Sequence, residues 1–372
     1  MLYNKGQKRG VYRMKKSWTA IMLMGMLLLG GCGQREAVAN SYDSAEMNRS
    51  EKTESIEPAE SAEAAEPGAA TDMTENDGIT DGKLPGELSR IPESYFTNAE
   101  HQGMLVELFY DTYESMTYEQ KSKVLHKRAI VYLPYGYSED AKYNVFYLMH
   151  GGWSDETAYL GTPNNPGGFK NVLDHAMEDG KIVPMIVVCP TYNNESEKDS
   201  WDYSLAIQLT DNYHNELIYD LISAVEGSYS TYAKETTSEG LIESRDHRAF
   251  CGFSMGSVAT WRTFQYCLDY FHYFMPSSGN LTSDGEYMAS MVRDSGHEWN
   301  DFFIFAASGT DDFAYSAFKH QIEAMASVQD GTFRFADNEA EGNLYFLEQE
   351  GGTHNGEYAM EYFYNGLCWI WQ

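Results

Sequence analysis

The sequence predicts an α/β domain over residues 91–372, a mostly parallel sheet with helices on both faces. Three observations carry this. Short, near-continuous apolar runs recur along the chain, segments with helical spacing lie between them, and the runs end in Gly, Pro or Ser rather than in tight hairpin turns. Ligands on such sheets gather at the carboxyl ends of the strands, so those ends are where chemistry is expected.

The first two strands, 105–110 and 129–133, are joined by a short link and read as an antiparallel lead-in. Runs at 145–149, 185–189, 249–253 and 302–306 lack polar alternation, which implies strands covered on both faces. A last strand is expected at 344–347. Helical spacing marks 169–178, 205–225 (bounded by Gly227), 257–267 and 358–371. No internal repeat is present.

Ahead of this domain, Lys15 and Lys16 precede an apolar run over 20–29 that closes on Leu29-Gly30-Gly31-Cys32. The run is about half the ~20 residues a membrane span needs, and small residues sit where a signal peptidase must fit the backbone. Residues 1–31 therefore read as a bacterial lipoprotein signal peptide, with Cys32 as the lipidated residue and translation starting at Met1 or Met14. Residues 32–90 are rich in Glu, Ala, Ser, Thr and Asp with almost no aromatic or branched apolar residues. Such a segment buries too little apolar area to offset its ordering entropy, and is expected to be a disordered acidic linker. The expected location is the extracellular face of the cell membrane, with the membrane engaged only through the lipid.

The formal charge of −30 argues against nucleic acid as a partner, because a phosphate backbone would be repelled. Apart from Cys32, the cysteines at 189, 251, 267 and 368 are widely spaced, with no Cys-x-x-Cys pair, so neither metal nor cofactor is expected. Cys189 and Cys251 lie in strand-like apolar runs, where a buried free thiol is commoner than a disulfide.

Gly252-Phe253-Ser254-Met255-Gly256 follows the strand 249–253 and precedes the helical pattern from Ser257, the strand-turn-helix setting of a nucleophile elbow. A serine hydroxyl needs a base, and the base an orienting carboxylate. Among ten histidines His354 stands out: it follows the strand 344–347, in Gly351-Gly352-Thr353-His354-Asn355, and completes the order Ser, acid, His of an α/β-hydrolase. His297 is the rival. The strand 302–306 runs into Ser308-Gly309-Thr310-Asp311-Asp312, which offers two adjacent carboxylates, Asp311 and Asp312. A tetrahedral intermediate needs two N–H donors. Met255 should give one, and Gly152 or Trp153, in His150-Gly151-Gly152-Trp153, the other. The expected role of His150 is a structural hydrogen bond that shapes this loop.

At these residues the chain resembles carbohydrate esterase family one, particularly the feruloyl esterase domains of cellulosomal xylanases. The matching segments include Tyr143-Asn144-Val145-Phe146-Tyr147-Leu148-Met149-His150-Gly151-Gly152, Met185-Ile186-Val187-Val188-Cys189-Pro190-Thr191, Tyr273-Phe274-Met275-Pro276, Gly309-Thr310-Asp311-Asp312 and Thr353-His354. The resemblance spans nearly everything from about residue 125 onward. It implies hydrolysis of hydroxycinnamoyl esters on plant xylan through an acyl-enzyme on Ser254, an ester-substituted polysaccharide or oligosaccharide as partner, and Asp312 as the acid.

Two positions depart from the resemblance. Aromatic residues after the base and after the Pro-x-Ser-Gly segment are replaced by Asn355-Gly356 and Asn280-Leu281. Trp153, together with Trp201 and Tyr203 in the loop 193–203, is the expected substitute aromatic wall. An acetyl xylan or general short-chain esterase, which needs only a small acyl pocket, is the close competitor. A saccharide-binding lipoprotein without turnover is the competitor of another class.

Overall fold

The computed structural model describes residues 83–372, all within one compact unit, Thr74–Gln372. The signal peptide, Cys32 and most of the linker lie outside the described residues.

Eight strands form one sheet in the order β1-β2-β6-β3-β7-β8-β9-β10. They are β1 (Met104–Tyr113), β2 (Val124–Leu133), β3 (Asn144–Met149), β6 (Met185–Cys189), β7 (Arg248–Phe253), β8 (Tyr273–Ser277), β9 (Phe303–Gly309) and β10 (Leu344–Gln349). A two-residue hairpin, β4 (Gly161–Thr162) with β5 (Asn165–Pro166), stands apart. β1 pairs antiparallel with β2, and β2 antiparallel with β6; every later pairing is parallel. This is the predicted α/β-hydrolase fold, with the predicted antiparallel lead-in.

Side chains leave the sheet on alternate faces, and both faces are buried. Val145, Tyr147 and Met149 of β3 join one core with Tyr213 of α2 (Tyr203–Glu216), Phe264 of α5 (Met255–Tyr266), Met288 of α6 (Gly285–Ser295) and Phe318 of α7 (Tyr315–Ala326). Phe146 and Leu148 enter a second core with Phe169 and Leu173 of α1 (Gly168–Glu178) and Phe363 of α8 (Gly356–Leu367). The continuous apolar runs exist because helices cover both sides.

Several boundaries differ from expectation. Residues 83–90, read as linker, are held on the domain. Leu84 is buried, its N–H donates to the Asp337 carbonyl at 2.7 Å, and Ser89 exchanges two 2.8 Å bonds with the Asn365 side chain. The helix expected over 205–225 starts two residues earlier and passes through a π turn, Leu217–Leu221, into α3 (Ile222–Ser228), so Gly227 lies inside it. A short α4 (Ser238–Glu243) follows. β8, α6 and α7 are elements the apolar-run reading did not place. Cys189, Cys251, Cys267 and Cys368 are all free thiols, and burial pushes each of them above its ordinary value.

Candidate active site

β7 delivers Ser254 on a strained turn. Ser254 adopts φ 60°, ψ −119°, a region that side chains avoid, and it stands at the N-cap position of α5 with its side chain making no cap bond. The turn requires glycine on either side. A Cβ on Gly252 would sit 2.4 Å from the Gly256 carbonyl oxygen, and one on Gly256 would sit 2.5 Å from that of Met149. The Ser254 N–H donates to the Ser277 carbonyl at 2.9 Å, which locks the elbow against β8.

β9 and β10 deliver the partners. Ser254 Oγ lies 2.8 Å from His354 Nε2, and His354 Nδ1 lies 2.8 Å from each oxygen of Asp312. A carboxylate only accepts, so Nδ1 carries the proton and Nε2 is free to accept from the serine. Asp312 is buried, and its Oδ1 also accepts from the Ala314 N–H at 2.7 Å; Asp311 is exposed. His297 is not brought to the site. It precedes β9, at the opposite edge of the parallel sheet, and pairs there with Asp269 at 2.8 Å.

The His354 ring lies between Phe253, at 4.4 Å between centroids, and Phe313, at 4.2 Å. Phe313 is 82% exposed and was not among the sequence candidates, although it directly follows the acid. It borders an open groove of about 680 Å³ with Asn280, Ser283, Tyr315, Lys319 and His320. Leu281, half-buried, packs against the core instead, and Asn355 caps α8, its Oδ1 accepting from the N–H groups of Glu357 and Tyr358. Those contacts give the two departures physical roles.

The oxyanion candidates separate. Met255 is the first residue of α5, where no carbonyl lies one turn back to accept its N–H. Trp153 is corrected: its N–H donates to the Ser200 carbonyl at 3.0 Å, because the loop 193–201 folds back onto it. Gly152 remains. The Gly151 carbonyl accepts from His150 Nδ1 at 2.7 Å and from the Tyr192 hydroxyl at 2.9 Å. Since the peptide unit is planar and trans, holding that oxygen aims the Gly152 N–H the other way. A Cβ on Gly151 would lie 3.5 Å from Ser254 Cβ, so this backbone runs beside the nucleophile. His150 Nε2 in turn accepts from Thr191 Oγ1 at 2.7 Å. Tyr192 and Thr191 escaped the sequence reading; their signal was their place just past β6, at the catalytic edge.

Burial pushes the His150 imidazole down to about 4, against the raising effect of its bond to the Gly151 carbonyl. The folded value lies below the ordinary 6.5, so the neutral ring stabilises the fold above that pH. As pH falls from 6.5 towards 4 the unfolded chain takes up a proton that the folded chain refuses, which costs about 3 kcal/mol. Melting temperature is expected to fall over that window, and less steeply in His150→Gln; equal slopes would show that another group controls it.

Trp153, Trp201 and Tyr203 are 66%, 54% and 62% exposed. Trp153 holds φ 56°, and Ser154 and Ser200 exchange two further bonds, Ser154 N–H to Ser200 Oγ at 3.1 Å and Ser200 Oγ to the Ser154 carbonyl at 2.7 Å. The two tryptophans thus stand on stapled loops at the catalytic edge. Among the described residues no cluster of His, Cys, Asp and Glu is arranged to hold a metal ion.

Residues 125–312 match the family described as "Putative esterase". The chain is 38% identical over 282 residues to endo-1,4-beta-xylanase Y of Acetivibrio thermocellus, covering 74% of this chain and 24% of that protein. It is 28% identical over 186 residues to an endo-1,4-beta-xylanase/feruloyl esterase of Xylanibacter ruminicola, covering 49% and 23%. The chain thus spans about a quarter of the length of these curated relatives. Among solved structures, a serine-to-alanine mutant of the feruloyl esterase module from Clostridium thermocellum, complexed with sinapinate, matches with a TM-score of 0.67 and 34% identity. That match covers 78% of this chain and 95% of the module.

Proposed function

From the premise that this chain belongs to the esterase family and is a carboxylic ester hydrolase, we propose that it hydrolyses feruloyl or related hydroxycinnamoyl esters on plant xylan through Ser254, His354 and Asp312. The observation that carries the mechanism is the unbroken line from Ser254 Oγ to His354 to Asp312, with every step at 2.8 Å. His354 takes the serine proton as Oγ attacks the ester carbonyl; Met255 and Gly152 N–H groups receive the oxyanion; His354 then protonates the departing sugar oxygen. Water repeats the sequence on the acyl-enzyme and releases the acid.

The acyl assignment draws on the 34% identity to a feruloyl esterase module crystallised with sinapinate. An aromatic acyl group suits the groove beside Phe313, and Trp153, Trp201 and Tyr203 are further exposed rings on the loops at the catalytic edge. The decisive assay compares methyl ferulate, feruloylated arabinoxylan and acetyl esters. Ferulate release with kcat/KM well above that for the acetyl esters is expected, whereas acetyl release alone would overturn the acyl assignment. Outward display on a lipidated Cys32 belongs to the same proposal, and radiolabelled fatty acid incorporation lost in Cys32→Ala is the expected result.

Tyr192→Phe tests the oxyanion loop. It removes one of the two bonds holding the Gly151 carbonyl, worth about 1 kcal/mol, so kcat is expected to drop about fivefold with KM unchanged. An unchanged kcat would remove Tyr192 from that role.

A further inference from the structure

Away from the catalytic residues, a groove of about 360 Å³ lies between the outer strands and the loop that carries Trp201, lined by Phe109, Arg128, Glu156, Asn194 and Glu197 among others. Phe109 is 69% exposed on a face of β1 whose neighbouring positions are polar. Lone exposed apolar side chains are ordinary. Here the ring forms one side of a concavity and is flanked by planar polar groups. Arg128, its cross-strand partner, bonds Glu107 at 2.6 Å and Glu156 at 2.6 Å, and His126 bonds Asp111 at 2.5 Å.

Building on the proposed esterase reading, we propose that this groove is a second saccharide subsite, where one pyranose of the polysaccharide stacks on Phe109 while an ester on the same chain sits at Ser254. An aromatic face matches the C–H face of a sugar ring, and the carboxylate, guanidinium and carboxamide groups around it match its hydroxyls. Arg128 is already neutralised by two carboxylates, and the remaining lining carries both signs, so the ligand is an uncharged polyol rather than a phosphate.

The position suits a polymer. From β1 to β7 the sheet takes four steps, β1-β2-β6-β3-β7, or about 19 Å at the usual strand spacing, so several sugar units separate the two sites. The wall of the groove is itself the start of the strap that ends in Trp201, and Glu156 lies three residues past Trp153. Exposed aromatic rings therefore mark a path from the groove towards the nucleophile.

The test uses the full chain and its Phe109→Ala and Phe109→Trp variants. For Phe109→Ala, the ratio of kcat/KM on feruloylated arabinoxylan to kcat/KM on methyl ferulate is expected to fall about tenfold, and for Phe109→Trp to recover. In native gels containing arabinoxylan, retardation should weaken in the alanine variant and return in the tryptophan variant. An unchanged ratio with unchanged retardation overturns the subsite, as does equal loss on both substrates. If the wild-type chain releases no ferulate yet is retarded through Phe109, the subsite stands and the feruloyl reading falls.

Discussion

Replacing Ser254 with alanine is expected to lower kcat by about a millionfold, leaving only what the oxyanion donors and substrate binding provide over water. The loss should be confined to chemistry. Among the described residues the Ser254 hydroxyl bonds only His354, while the strained elbow is held by backbone contacts to Ser277 and by the flanking glycines, none of which the substitution touches. Circular dichroism and melting should therefore match the parent. A fluorophosphonate probe should label the parent and spare the variant. Retention of more than one part in a hundred of kcat would overturn the assignment of the nucleophile, and an unlabelled parent would favour a saccharide-binding protein without turnover.

Asp312→Asn should cost about 10⁴ in kcat. Asparagine keeps the shape of the side chain but presents an N–H₂ group beside His354, favouring the ring tautomer that carries its proton on Nε2, where it cannot accept from Ser254. Asp311→Asn, one residue away and exposed, should change kcat by less than about twofold, as surface substitutions usually do. The pair of variants asks a single question with two arms. Reversed sensitivities would make Asp311 the acid.

The contrast between those neighbours shows what could be read in advance. Ser254, His354 and an acid at 311 or 312 were legible because each ends a buried apolar strand, and the parallel sheet collects such ends at one edge. Choosing between the two acids from the residues alone was not possible, since burial of one and exposure of the other depend on how β9 meets the loop before α8. β8 was obscured by Pro276, a residue that argues against a central strand because it cannot donate to a ladder. In α6, Met288, Met291 and Val292 sit among polar residues, whereas Phe318, Ile322 and Met325 of α7 do keep helical spacing, a signal that went unused because no apolar run marks it. The Trp153 N–H was misjudged because its acceptor, the Ser200 carbonyl, is distant in sequence and meets it only through a loop contact. Phe313 carried no periodic signal at all.

Asn355, next to His354 in the chain, and Asn280, in the groove beside Phe313, differ in how freely they can change. Asn355 is committed to its helix: any aromatic placed there would forfeit a cap worth about 1 kcal/mol, whatever it contributed to substrate contact. Asn280 faces the groove, and its side chain makes no hydrogen bond among the described residues. Selection for a different acyl group would thus meet less resistance at 280 than at 355, so a library that randomises 280 should shift preference among esters while keeping more of its members folded.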